Sequence, residues 1–286
     1  MLFIHVGLPK CASSFLQMEL FAKDKRINFL GIIRDHDNVD LPLEFSDDAK
    51  KFNLFARGKL DSFDTEGLRR QVLENEAVSV YSEEDFSTSD IVSVQEKARR
   101  IYSVFPDAKI ISVVRKPESL LRSFHSFRVR GGVVKAGFNE WLSSECESPD
   151  DSVILKLPRF KETVGAFCDV FGKENVKVFK FEDLIQDEEI FLRVFYKEFG
   201  LSSPIILGMK KRNQSLPPSA LKLATSYPML FGLREFIPQS FRRIMKSIIS
   251  KIRVKPEQLY LSNRKLIDDI YRDHLDYIRS SFSIEW

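Results

Sequence analysis

The sequence predicts an α/β fold, with a parallel sheet of four to five strands flanked by helices and a helical C-terminal extension. Short β-branched apolar runs at residues 2–6, 78–81, 109–114 and 176–181 are continuous rather than alternating, as strands buried on both faces are. Amphipathic stretches follow these runs after short connections, the spacing that right-handed crossovers need. Beyond Gly200 no strand pattern recurs and the remaining periodicity is helical.

A weaker run at 27–32 reads as a fifth strand at a sheet edge. Helices are expected at 14–22, 65–76, 118–129, 138–147, 159–171 and 188–199, then at 215–226, 233–252 and 256–282. The chain reads as one domain over 1–286, with an α/β core at 1–200 and the extension at 201–286.

Composition narrows the function. Of 286 residues, 43% are hydrophobic and 30% charged, enough apolar content for a sizeable core. The formal net charge of +3 is too small for a dedicated nucleic-acid binder. Cys11, Cys146 and Cys168 are widely spaced, with no pair suited to a disulfide framework or a zinc site, and the four histidines form no metal-binding pattern. No metal is therefore expected. The apolar run at 2–6 is too short for a signal segment and no run reaches membrane-spanning length, so a soluble cytoplasmic protein is expected.

The first candidate site follows the first strand. Gly7, Leu8, Pro9, Lys10, Cys11, Ala12, Ser13 and Ser14 lead into an amphipathic helix carrying Phe15, Leu16, Leu20 and Phe21. A strand, a loop and a helix start in this order place backbone N–H groups and a helix dipole around an anion. The nucleotide-binding loop G-x-x-x-x-G-K-[ST] has its lysine before the hydroxyl residue. Here Ser13 stands there, Ala12 replaces the second glycine, and the lysine is displaced to Lys10. The sheet is thus P-loop-type, but the loop suits a phosphate without the usual nucleoside-triphosphate arrangement. A plain turn with a serine cap is the alternative reading.

The second candidate site follows the strand at 109–114. Arg115 stands at its C-terminal end, Pro117 suits a helix first turn, and Ser123 lies about two turns further on. A guanidinium fork with a hydroxyl makes a phosphate clamp. Pairing of Arg115 with Glu118 is the structural alternative.

Taken together, these segments resemble the PAPS-dependent sulfotransferases, which use 3′-phosphoadenosine 5′-phosphosulfate (PAPS). Pro9 to Ser14 is similar to their P-K-x-G-[ST]-[ST] phosphosulfate loop, and Arg115-Lys116-Pro117 with Ser123 to their R-x-P-x5-S clamp for the 3′-phosphate. Phe179-Lys180-Phe181-Glu182-Asp183-Leu184 resembles the RYEDL strand end, and Arg212-Asn213-Gln214-Ser215 the R-x-N-x-S stretch. The matches run in family order and look closest to the bacterial and Golgi-type carbohydrate enzymes. Two positions depart: Ala12 replaces the loop glycine, and Lys180-Phe181 replaces Arg-Tyr. Alanine fits only where the local φ is negative.

The resemblance implies metal-free transfer of a sulfuryl group from PAPS to a hydroxyl or amine, with a carbohydrate or glycolipid as acceptor. It implies that Lys10 neutralises the bridging oxygen. Pro9, Cys11, Ala12, Ser13 and Ser14 would line the 5′-phosphosulfate, Arg115 and Ser123 would hold the 3′-phosphate, and Arg212 and Asn213 would also contact the donor. A general base is expected after the strand at 78–81: Glu84 first, then Glu83. His5, within a buried strand, reads as a satisfied core histidine, and His125 as packing.

Residues 233–255 carry Arg234, Arg242, Arg243, Lys246, Lys251, Arg253 and Lys255 against Glu235, with apolar residues interleaved. This basic amphipathic helix reads first as core packing with a solvated face. An anionic glycan groove or a peripheral membrane contact is the functional alternative. A metal-dependent phosphotransferase and a non-catalytic nucleotide- or glycan-binding protein remain as competing functions.

Overall fold

Five parallel strands form one sheet in the order β2-β3-β1-β4-β5: β1 Leu2–Val6, β2 Ile27–Phe29, β3 Val78–Glu83, β4 Lys109–Val114 and β5 Val176–Lys180. The computed structural model describes residues 1–31, 46–89, 91–202, 216–226 and 255–286. Arg212, Asn213 and most of the basic stretch at 233–255 lie outside them.

The described chain divides into two compact units, each drawing on separated stretches. The first comprises Met1–Lys116, Arg159–Arg212 and Asp273–Trp286, and the second Pro117–Pro158 and Asn213–Arg272. The whole sheet belongs to the first.

Strand position explains strand composition. Central β1 is buried along its whole length, and β4 from Ile110 onward. Edge strand β5 buries only Val176. Alternate side chains of β1 point to opposite faces. Phe3 meets Phe199 edge-on at 4.7 Å, and His5 meets Phe21 at 5.9 Å. Val6 points the other way and shares a small cavity lining with Ile110, Val164 and Phe167.

The first unit's helices are α1 Ser13–Phe15, α2 Asp47–Ala56, α3 Glu66–Leu73, α4 Val94–Val104, then, beyond the stretch that belongs to the second unit, α8 Phe160–Phe171, α9 Phe181–Gln186 and α10 Glu188–Glu198. The helix expected at 14–22 is α-helical only at its start and continues as a π-turn over Leu16–Phe21, closed by the Ala22 amide on the Gln17 carbonyl at 3.0 Å. The wider turn buries both Gln17 and Glu19, and Gln17 Nε2 reaches Ser82 Oγ at 3.0 Å.

Helices α2 and α4 were not expected from periodicity. Both have serine caps: Ser46 Oγ accepts from the Ala49 amide and Ser93 Oγ from the Glu96 amide. Ser93 with Glu96 is an S-x-x-E capping signal readable in the sequence. Strand β3 runs on to Glu83, and β5 stops at Lys180 because Phe181 opens α9.

The second unit contains α5 Pro117–Arg130, α6 Phe138–Glu145, α7 Val153–Lys156, α11 Pro218–Ser226 and the start of α12, Leu261–Phe282. Asn139 is its polar centre. Its side chain donates to Glu257 Oε1 at 2.6 Å and accepts from the Tyr260 amide at 2.8 Å. Glu257 Oε2 also accepts from the Phe138 amide at 2.8 Å, capping a helix whose Gly137 has no side chain to do so.

Candidate active site

Strands β3, β1 and β4 lie side by side, and each ends in a chemically equipped segment: Glu83 and Glu84, Gly7 to Ser14, and Arg115. The registers Val6↔Glu83 and Val114↔Lys180 place these ends along the C-terminal edge of the sheet, where ligands of open parallel sheets bind.

The β1 loop is folded tightly around two left-handed residues. Lys10 has φ 67° and Ala12 φ 69°. The sequence expectation that alanine fits only at negative φ meets its adverse case: Ala12 occupies a conformation that costs a non-glycine residue about 1–2 kcal/mol. Neighbouring bonds hold it there. The Cys11 amide donates to the Leu8 carbonyl at 3.1 Å, and the Leu16 amide to the Ala12 carbonyl at 3.0 Å. A Cβ on Gly7 would lie 2.6 Å from Ser13 Oγ and 3.2 Å from Glu84 Cγ, so the close approach of loop, helix start and β3 requires glycine there.

Leu8, Cys11 and Ser13 turn inward, while Pro9, Lys10, Ala12 and Ser14 stay half-buried at the rim. Ser13 donates its hydroxyl to the Leu8 carbonyl at 3.3 Å. The helix cap is Ala12, whose side chain cannot satisfy the first amides, so the plain serine-capped turn does not occur. Burial pushes the Cys11 thiol up, which makes it a poor nucleophile.

Arg115 Nη1 donates to the Lys10 carbonyl at 2.9 Å, and its guanidinium lies over the Phe181 ring at 4.2 Å. Glu118 pairs instead with Arg122 at 2.8 Å. Burial lowers the Arg115 pKa, opposed by Cys11 and Glu182, yet a guanidinium stays charged.

The two acids after β3 differ in kind. Glu83 is buried, with Oε2 accepting from Asn53 Nδ2 at 2.7 Å and Oε1 from the Asp85 amide at 3.1 Å. Glu84 is half-buried, opens the 3₁₀ turn Glu84–Ser87 and packs beside Gly7. That turn is braced. Buried Lys97 donates to the Asp85 and Thr88 carbonyls at 2.6 and 2.5 Å, Arg57 pairs with Asp85 at 2.6 Å, and Ser87 Oγ donates to the Gly7 carbonyl at 2.8 Å.

Nearby, His5 Nδ1 and Ser82 Oγ are 2.7 Å apart, and burial drives the imidazole down to about 3. Among the described residues His5 Nε2 has no hydrogen-bond partner, so there the histidine is only half satisfied. His125 Nε2 donates to the Ala136 carbonyl at 3.0 Å and its ring packs on Trp141.

A sequence model of the sulfotransferase family matches residues 3–204. The chain belongs to the sulfotransferase family. The family's chemistry is sulfuryl transfer. No curated protein matches the sequence. Among solved structures, a sulfotransferase from Alicyclobacillus acidocaldarius is similar, with a TM-score of 0.48 and 20% identity over 84% of this chain and 98% of the other.

In this sulfotransferase, Pro9 to Ser14, Glu83, Glu84 and Arg115 all fall within the first unit. Ser123 is half-buried on α5 in the second. Sequence reasoning gave no role to Lys97, nor to Asn53 and Trp286, whose contacts with Glu83 and Glu182 are made across long stretches of chain. Among the described residues, no group of three or more His, Cys, Asp or Glu side chains could hold a metal ion, and no helix is long and apolar enough to cross a membrane.

Proposed function

We propose that this chain uses PAPS as sulfuryl donor and a hydroxyl or amine of a carbohydrate or glycolipid as acceptor. The observation that carries the reading is the β1 loop. Two left-handed residues flank Cys11 ahead of a helix start without a side-chain cap, and a lysine sits at the rim. Such a turn suits a phosphate, because consecutive amides can converge on one anion.

PAPS supplies an activated sulfuryl group on its 5′-phosphate. The amides of Ala12, Ser13 and Ser14, with the Ser14 hydroxyl, would hold that end, and Pro9 and Cys11 shape the loop. Lys10 would place its ammonium against the bridging oxygen, where negative charge grows as the S–O bond breaks. Arg115 would take the 3′-phosphate. The sequence motif adds the Ser123 hydroxyl, and Arg212 and Asn213 as further donor contacts. Glu84 would accept the acceptor's proton as its oxygen bonds to sulfur. It is preferred to Glu83 because Glu83 is buried whereas Glu84 is half-buried and closer to solvent. The carbohydrate preference rests on the sequence likeness alone.

Thermal shift with 3′-phosphoadenosine 5′-phosphate (PAP), compared with ATP and Mg²⁺, tests the donor. Stabilisation by PAP is expected, and a response to ATP–Mg²⁺ alone would overturn the reading in favour of a phosphotransferase. Lys10→Ala should keep most PAP binding and lose about 10²–10³-fold in sulfate transfer.

A further inference from the structure

Glu182 sits where α9 begins, beside the end of β4, with its two carboxylate oxygens engaged by two different donors. Oε1 accepts from the Lys116 amide at 3.0 Å, and Oε2 from the Trp286 indole Nε1–H at 2.7 Å. Neighbouring Phe181 presents its ring to the Arg115 guanidinium at 4.2 Å. Trp286 is itself held in place. Its ring stacks on buried Phe160 with centroids 6.0 Å apart and planes 24° apart, and the preceding Glu285 carbonyl accepts from Lys180 Nζ at 2.9 Å.

We infer that Glu182 and Trp286 are positioning residues for 3′-phosphate recognition, acting through the Lys116 amide and the Arg115 guanidinium. The inference rests on the PAPS reading above. A carboxylate next to an anion site repels the ligand, a cost that a positioning role offsets. Glu182 clamps the amide directly after Arg115, fixing the backbone from which that side chain leaves the sheet. The Phe181 ring covers one face of the guanidinium, whose N–H groups lie in its plane and donate to oxygen acceptors such as the Lys10 carbonyl. Trp286 aims the carboxylate by holding the oxygen that the amide does not use. The charge of Glu182 also favours the charged guanidinium, since it opposes the lowering of the Arg115 pKa by burial.

Trp286→Phe retains an aromatic ring beside Phe160 and the charge of Glu182 while removing the N–H donor and part of the ring area. Glu182→Gln sets an amide N–H₂ against one of two N–H donors. Titration calorimetry with PAP and with adenosine 5′-phosphate, which lacks the 3′-phosphate, gives the readout. Each variant is expected to lose about tenfold in PAP affinity and to keep its affinity for adenosine 5′-phosphate. In turnover, the donor KM rises and kcat holds. Equal losses for both nucleotides, or no loss for either, would overturn the positioning role. If one variant fails to fold, the other decides. Wild-type protein that binds the two nucleotides equally well would instead overturn the PAPS reading, and the inference with it.

Discussion

Arg115 donates a hydrogen bond to the backbone carbonyl of Lys10 at 2.9 Å. That carbonyl belongs to a left-handed residue with φ 67°. The guanidinium proposed to take the 3′-phosphate thus also holds the loop proposed to take the 5′ end. One cation ties the end of β4 to the turn after β1, so the two halves of donor recognition share a structural part.

The strain at Ala12 gives a direct test of the loop. Its φ of 69° suits glycine, which carries no Cβ penalty there. Ala12→Gly should stabilise the protein by about 1 kcal/mol, raising Tm by roughly 2–3 °C. Scanning calorimetry measures this. An unchanged or lower Tm would mean that the turn is not left-handed in solution.

The two acids after β3 should separate cleanly. Glu84→Gln is expected to fold normally, bind PAP as before and lose about 10²–10⁴-fold in sulfate transfer. Glu83→Gln places an amide N–H₂ against either Asn53 Nδ2 or the Asp85 amide, and should cost about 1–3 kcal/mol in urea unfolding. Normal turnover by Glu84→Gln with inactive but stable Glu83→Gln would transfer the base assignment to Glu83.

Acid should destabilise the fold through His5. Burial holds its imidazole at about 3, while the unfolded chain titrates near 6.5. Between these values the unfolded state binds the proton and the folded state does not. The contribution is therefore complete above about pH 6.5 and is lost as pH falls toward 3, at up to ~1.4 kcal/mol per pH unit. His125 and His274 are lowered by burial too, so the dependence will shrink rather than vanish in a His5→Asn variant. Urea midpoints at pH 7 and 4.5 should fall less in that variant than in wild type, and equal falls would refute the assignment.

The sheet was legible because parallel strands buried on both faces leave continuous apolar runs. Leu2–Val6 and Lys109–Val114 fall where those runs do, and weak Ile27–Phe29 takes the edge. Helix α4 was missed although Ser93 and Glu96 announce it. The π-turn after Phe15 left no local sign, since it forms where Gln17 reaches Ser82 on another strand.

By itself the sequence determined the strand–loop–helix with its displaced Lys10, the Arg115 strand end and the acidic pair after β3. These are local patterns, and each is set by residues a few positions apart. Tertiary structure alone decided that Ala12 is left-handed, because the bonds forcing it come from the whole loop and the helix behind it. It alone buried Glu83 against Asn53 on a distant helix and left Glu84 half-buried. It alone brought Trp286 to Glu182, 104 positions away in the chain. Sequence spacing carries no trace of such pairings, because they depend on which strand ends the folded sheet sets side by side.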